Sequence, residues 1–502
     1  METNSLDFDA QALREKILDL AMRGKLVKQD PNDEPASVLL EKIKAEKAEL
    51  VKEGKIKKSK ALPEITDDEK PFDIPDSWEW VRLGEVFDVT SSKRVMKKEW
   101  QNEGIPFYRA REIVSIKNNR PLKDPIFLNE STYNEKIKVS GVPKVNDILL
   151  TGVGTLGIPY IVKDNKKFYF KDGNIIWLKN ISDINSQYLS YYIQSPYMVK
   201  EINNGRGTTV ATLTIIRAKD LMIPLPPLEE QSRIAAKIAQ LFALLRKVES
   251  STKQYAKLQT LLKSKVLDLA MRGKLVKQDP NDEPASVLLE KIKAEKEQLI
   301  KEKKIKKSKP LPPITDEEKP FEIPDSWEWV RLGEVLALED GSIRRGPFGS
   351  SLKKTYFVPK GKNTYKVYEQ GNAINQSVSY GHYYISKKKF NELRSFSVRP
   401  QDIIISGAGT IGKTFVLPAD VPAGVINQAL IRVRLNNRLI TNDYFLIAFQ
   451  QKVNLLNKRA KGTAIKNMFS IAHMKNDIVW ALPPISEQNR IVRQFKKMNK
   501  II

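Results

Sequence analysis

The chain has 502 residues, 41% hydrophobic and 29% charged, with no cysteine, which leaves room for about two to four domains with real cores and excludes disulfides, a thiol nucleophile and any Cys-ligated metal site. Lys plus Arg outnumber Asp plus Glu by 85 to 60, a net charge of +25, which points to a polyanionic partner. No apolar run is long enough to cross a bilayer and the opening residues METNSLDFD lack an apolar signal core, so a cytoplasmic protein without a membrane partner is expected. The two histidines, His382 and His473, stand in no metal-ligand or nucleophile spacing, and no metal site is expected.

In chain order, residues 1–24 carry Leu13, Ile17 and Leu20 at helical spacing. Residues 25–85 form an arm: Pro35 opens an amphipathic helix (ASVLLEKIKAEK), then come a basic KIKKSK stretch at 55–60 and a Pro-rich extended strip ending in Trp78 and Trp80. Residues 86–227 form a first globular domain. From 228 to 273 the apolar positions Ile234, Ile238, Leu241, Leu245, Val248, Tyr255, Leu258, Leu262, Val266 and Leu269 step by three and four, apart from a break at Thr252. They predict one helix of about 65 Å with a heptad-like seam, stopped at Gly273. Residues 274–334 repeat the arm, 335–484 form a second domain, and 485–502 begin another helix.

The chain is written twice. Residues 18–86 recur at 267–335, an offset of 249, with eight substitutions. The stretches between have diverged on a shared frame: DILLTGVGTLG at 147–157 matches DIIISGAGTIG at 402–412, and LPPLEEQSRI at 225–234 matches LPPISEQNRI at 482–491. Ile491, Phe495, Met498 and Ile502 align with the start of the long helix, and Leu13, Ile17 and Leu20 with its end. The two chain ends therefore read as parts of a second long helix antiparallel to the first, with about four positions missing between them. The expected fold is α+β: two similar α/β recognition domains, related by a pseudo-two-fold axis and separated by two long antiparallel helices.

Two motifs suggest chemistry. GAGTIGKT at 407–414 fits the P-loop pattern, whose working form needs a helix after it. Here Pro418 and Pro422 fall where the first helical turns belong, and the sister copy has Ile158 and Pro159 in place of Lys413 and Thr414. A glycine hairpin is the preferred reading, its free backbone N–H groups and Thr155 or Thr410 facing a ligand. An adenine methyltransferase needs Asn or Asp before Pro-Pro-aromatic, whereas Leu precedes Pro226 and Pro483. The rival to a binding protein is a P-loop NTPase or a self-sufficient DNA methyltransferase using 407–414.

Basic residues interleaved with aromatic and small polar ones fit DNA phosphates and base edges. The candidates in the first domain are Ser91, Lys93, Arg94, Arg109, Arg111, Arg206 and Thr208. In the second they are Arg344, Arg345, Ser350, Ser351, Lys353, Tyr368, Gln370, Lys461 and Thr463; the RRGPFGSSLKK run at 344–354, the YKVYEQ run at 365–370 and Lys387 to Lys389 supply the densest clusters. One such cluster alone is more often a solvated loop; their concentration on the two divergent domains is the stronger signal. Residues 86–227 carry +8 and 335–484 carry +14, while the arms at 25–85 and 274–334 are near neutral at −3 and −1.

The paired RGKLVKQDPNDEPAS blocks, the strips ending in DSWEWVRLGEV, GIPFYR at 104–109, the DILLTGVGTLG hairpin and the LPPLEEQ junction resemble the specificity subunit of type I restriction–modification enzymes across essentially the whole chain. The resemblance implies a non-catalytic subunit whose two target-recognition domains each read half of a bipartite double-stranded DNA target. It also implies helices acting as a spacer ruler, assembly with two modification subunits that methylate adenine, and assembly with restriction subunits that translocate and cut DNA. No cofactor is then expected on this chain: S-adenosylmethionine, ATP and Mg belong to the partners.

Overall fold

The computed structural model describes residues 8–204, 212–307, 309–408, 410–459 and 470–502. The chain divides into two compact units, Met1–Lys253 and Gln254–Ile502, each with an arm helix, a short strand closing on the domain and a recognition sheet in the same chain order. No helix among the described residues is long and apolar enough to cross a membrane.

In the first unit, Phe87–Thr90, Ile175–Asn180, Ile148–Thr151 and Pro159–Ile161 form a four-stranded antiparallel sheet in that spatial order. Three further strands, Ile126–Leu128, Ile105–Tyr108 and Tyr169–Phe170, form a second sheet. The second unit repeats the first sheet with Ile343–Arg345, Leu430–Val433, Ile403–Ser406 and Thr414–Val416, and enlarges the other to four strands. The central strands read as unbroken apolar runs because both faces are covered. Ile148 and Leu150 pack with the helices in one cluster, while Leu149 points the opposite way into a second with Trp177. Ile403 and Ile405 against Ile404 divide likewise, as the two-residue period of a strand requires.

The arms close on these domains through short β-ladders. Glu79–Arg82 pairs antiparallel with Met222–Leu225, and Glu328–Arg331 with Val479–Leu482. The strips after the arm helices (Ala36–Lys52 and Ala285–Lys301) thereby become part of each core.

The long helix runs over Leu228–Met271, 44 residues. It stops where Gly273 turns to φ +67°, and a Cβ there would meet Pro324 Cγ at 2.4 Å, so no other residue fits this turn without rearrangement. The chain ends form the helices Ala10–Met22 and Ile485–Ile501. Within the first unit Leu18 and Met22 pack with Ile234 and Ile238, and Arg14 pairs with Glu249 at 2.6 Å. Within the second, Ile491 and Phe495 pack with Val266 and Met271, and Gln259 Nε2 donates to the Ile502 carbonyl at 2.7 Å. The predicted seam is covered only as far as these helices reach: Val248, Tyr255, Leu258 and Leu262 remain exposed.

Candidate nucleic-acid interface

The candidate residues sort by how much of their hydrogen-bonding capacity the fold already uses. Lys93 and Arg94 lie exposed on the loop after Phe87–Thr90, whereas Ser91 donates its hydroxyl to the Ile175 carbonyl at 2.7 Å and serves the sheet. Arg109 and Arg111 both clamp Glu112: Arg109 Nη2 lies 2.7 Å from Oε1 and Arg111 Nε 2.6 Å from the same oxygen. Glu112 is 2% exposed. Burial works against its charge, yet the two guanidiniums and the Arg109 N–H hold its pKa below the ordinary carboxylate value. Arg111 keeps an open face, while Arg109 is half-buried beside the Trp100 ring.

In the second unit Ser350, Ser351 and Lys353 are exposed. Arg344 and Arg345 are half-buried, the first over the Phe396 ring and the second donating from Nε to the Gln428 carbonyl at 3.2 Å. Gln370 is half-buried at the start of the helix Gln370–Ile374. Tyr368 is a correction: it is fully buried and its hydroxyl donates to the Pro422 carbonyl at 2.7 Å. Burial raises its pKa, and no surface is left to meet DNA. Strand alternation explains the error, because Val367 and Tyr368 belong to clusters on opposite faces of a strand buried on both. Lys366, in the same run, is also buried and donates to the Gly381 carbonyl at 3.0 Å. Arg206, Thr208, Lys461 and Thr463 lie outside the described residues.

The glycine hairpins are spent internally. Gly157 N donates to the Thr151 carbonyl and Ile158 N to Thr151 Oγ1; Gly412 N donates to the Ser406 carbonyl and Lys413 N to Ser406 Oγ. After the turn comes the strand Thr414–Val416, antiparallel to Ile403–Ser406. The P-loop reading thus lacks its helix, and the N–H groups expected to face a ligand close the turn at these positions instead.

Sequence reasoning missed a largely buried charge network at the second unit's sheet of Ile343–Arg345, Leu430–Val433, Ile403–Ser406 and Thr414–Val416. Asp402 accepts from Arg434 Nε at 2.7 Å and from the Arg399 N–H at 2.9 Å, and Arg434 Nη1 donates to Glu339 at 2.7 Å. Arg432 is 1% exposed; burial, then the neighbouring Arg434, lower its pKa to about 10. Its first-unit counterpart across the strand pair is Trp177, whose indole N–H donates to Asp147 at 2.9 Å. The motif Asp is therefore a bracket for the sheet in both units. The shared Asp at 147 and 402 was the one available signal.

A family model for the type I restriction modification DNA specificity domain matches residues 75–258 and 324–502. The chain is 32% identical to the type I restriction enzyme EcoAI specificity subunit of Escherichia coli, covering 99% of this chain and 89% of that protein. It is 30% identical to the EcoEI specificity subunit of the same species, covering 98% and 90%. Among solved structures, the HsdS subunit from Thermoanaerobacter tengcongensis aligns with a TM-score of 0.48 at 18% identity, over 86% of this chain and 91% of that one.

Proposed function

The chain belongs to the type I restriction–modification specificity subunits, and from that premise we propose that it directs a multisubunit methyltransferase and endonuclease to a bipartite DNA target, the domain at 86–227 reading one half-site and that at 335–484 the other. The subunit itself is non-catalytic. The observation that carries the division of labour is the repeated frame with unlike surfaces: in each unit one four-stranded sheet of the same spatial strand order, whose loops present different basic and polar side chains, on domains with net charges of +8 and +14. Cations neutralise phosphates and set affinity, while the divergent side chains choose the bases.

On this reading the near-neutral arms and the helices hold two modification subunits. S-adenosylmethionine, ATP and Mg reside on the modification and restriction subunits, and the complex works in the cytoplasm. The helix Leu228–Met271 sets the spacer between the half-sites. The test is a methylation map of DNA exposed to the assembled complex, before and after residues 335–484 are exchanged for those of another specificity subunit. One half-site should change and the other stay; a change in both refutes the modular reading. Methyl transfer or ATP turnover by the isolated chain would instead favour the enzyme rival.

A further inference from the structure

The loop after the first strand of each recognition sheet holds the same place in the frame and presents a different tip. Strand register fixes the correspondence. Leu178 lies opposite both Val89 and Ile148, and Val433 lies opposite both Ile343 and Ile403. Val89 therefore corresponds to Ile343, and counting forward without a gap places Ser92 at Gly346 and Arg94 at Phe348.

Both loops are pinned just before the tip. In the first unit Ser92 Oγ donates to the Phe170 carbonyl at 2.6 Å, and Lys93 N donates to the Tyr169 hydroxyl at 2.8 Å. In the second, Gly346 N donates to the Leu430 carbonyl at 2.9 Å. The backbone there approaches so closely that a Cβ on Gly346 would lie 1.9 Å from the Asn427 carbonyl oxygen. Beyond the tip, Ser351 N donates to the Phe348 carbonyl at 2.9 Å and closes a turn. Phe348 is thus held on both sides by hydrogen bonds, yet its side chain is 76% exposed.

Leaving a phenyl ring in water forgoes the favourable free energy of burying it, and the surroundings say what would cover it. Ser350, Ser351, Lys353 and Lys354 around it are exposed, and the domain carries +14. An apolar ring set among cations complements apolar base faces behind a phosphate backbone better than an apolar protein groove. At the matching position the first domain offers Arg94, a side chain that forks to guanine.

We propose that Phe348 is the base-contacting tip of the second recognition domain, an apolar wedge entering the base stack of its half-site at the frame position where the first domain presents Arg94. The proposal rests on the DNA-specificity reading above. A rigid loop suits this task, because unstacking a base step is already costly and a mobile tip would add its own ordering cost.

The experiment uses the assembled modification complex and its methylation-mapped target. Duplexes carry 2-aminopurine at successive steps of the half-site read by 335–484, away from the methylated adenine. The wild-type complex should raise emission severalfold at one step. Phe348→Ala should abolish the rise and weaken cognate binding about 10-fold or more, with non-cognate binding and the first half-site unaltered. Phe348→Leu should recover part of the affinity. Exposure of the side chain predicts an unchanged melting temperature, which keeps folding out of the comparison. No emission change with the wild-type chain, a rise that survives Phe348→Ala, or wild-type cognate affinity in that variant would each overturn the wedge. A wild-type complex that binds cognate and non-cognate duplexes alike would refute the DNA-specificity reading itself, which distinguishes the two failures.

Discussion

The indole Nε1 of Trp78 donates to Oε2 of Glu230 at 2.9 Å, both side chains buried, and ties the end of the arm to the start of the long helix. Gln29 Nε2 donates to the other carboxylate oxygen at 2.6 Å. The second unit repeats the clasp at the same distances with Trp327, Gln278 and Glu487. Beside each clasp a guanidinium meets a carboxylate, Arg233 with Asp33 and Arg490 with Asp282, both at 2.5 Å. The Glu is the E of LPPLEEQ and LPPISEQ, and the Trp is the first of the WEW strip, so two motifs far apart in sequence meet at one buried contact.

Removing the acceptor leaves the buried indole N–H of Trp78 or Trp327 unpaired, while the exposed Gln29 and Gln278 keep the Gly24 and Gly273 carbonyls. Glu230→Ala and Glu487→Ala should each lower stability by about 1–3 kcal/mol, read as a drop in the chemical-denaturation midpoint. An effect on only one of the two sites would contradict their equivalence.

The same carboxyls carry a pH signature. Burial raises both above the ordinary value of 4.5, against the opposing pull of the Trp and Gln hydrogen bonds. A carboxyl raised by folding binds more protons folded than unfolded between its two pKa values. Its contribution therefore lowers stability as pH climbs from the unfolded value through the raised one. The double variant Glu230→Gln, Glu487→Gln should lose that component, so the melting temperature of the wild type relative to the variant should rise on acidification across this window. A difference independent of pH would show that the carboxylates are not raised.

The bracket aspartates should respond unequally. Asp147 accepts from uncharged donors, the Trp177 indole and the Lys144 and Asn180 N–H groups, so Asp147→Ala should cost about 1–3 kcal/mol. Asp402 pairs with the half-buried Arg434 and lies 3.9 Å from the buried Arg432, and Asp402→Ala should cost about 3–5 kcal/mol because the buried Arg432 charge loses its nearest carboxylate while Arg434 keeps only Glu339. Equal losses in urea melts would contradict the assignment.

What the sequence revealed and what it hid follow from how locally each feature is encoded. The long helix and its stop were legible because periodicity and Gly273 act over one turn. The repeated frame was legible through DILLTGVGTLG and DIIISGAGTIG, matched runs that read as a glycine hairpin in each copy, although the burial of these strands on both faces was not. The candidate interface was read less well. Tyr368 looked like a reading residue among Lys366, Glu369 and Gln370, but strand alternation and a second sheet turned it inward. Arg109 and Arg111 looked free, but the first turn of the helix Ala110–Lys117 sets the neighbouring Glu112 within reach of both. Phe348 stood in a cluster searched for cations, and its exposure is set by the approach of Gly346 to Asn427, a contact across 81 residues of chain that no local pattern encodes.

The spacer follows from helix geometry and can be tested without touching either recognition domain. Inserting four residues beside Thr252 adds just over one turn, so the faces on either side stay nearly in phase, and lengthens the helix by about 6 Å. At about 3.4 Å per base pair, the spacer preferred by the assembled complex should grow by roughly two base pairs while both half-site sequences stay fixed. The apolar side chains flanking the insertion, Val248 and Tyr255, are already exposed, so the insertion opens no core and stability should hold. Methylation maps of the parent and inserted chains supply the measurement. An unchanged spacer with intact modification would remove the helix from its ruler role and place the spacing in the arms and the subunits they hold.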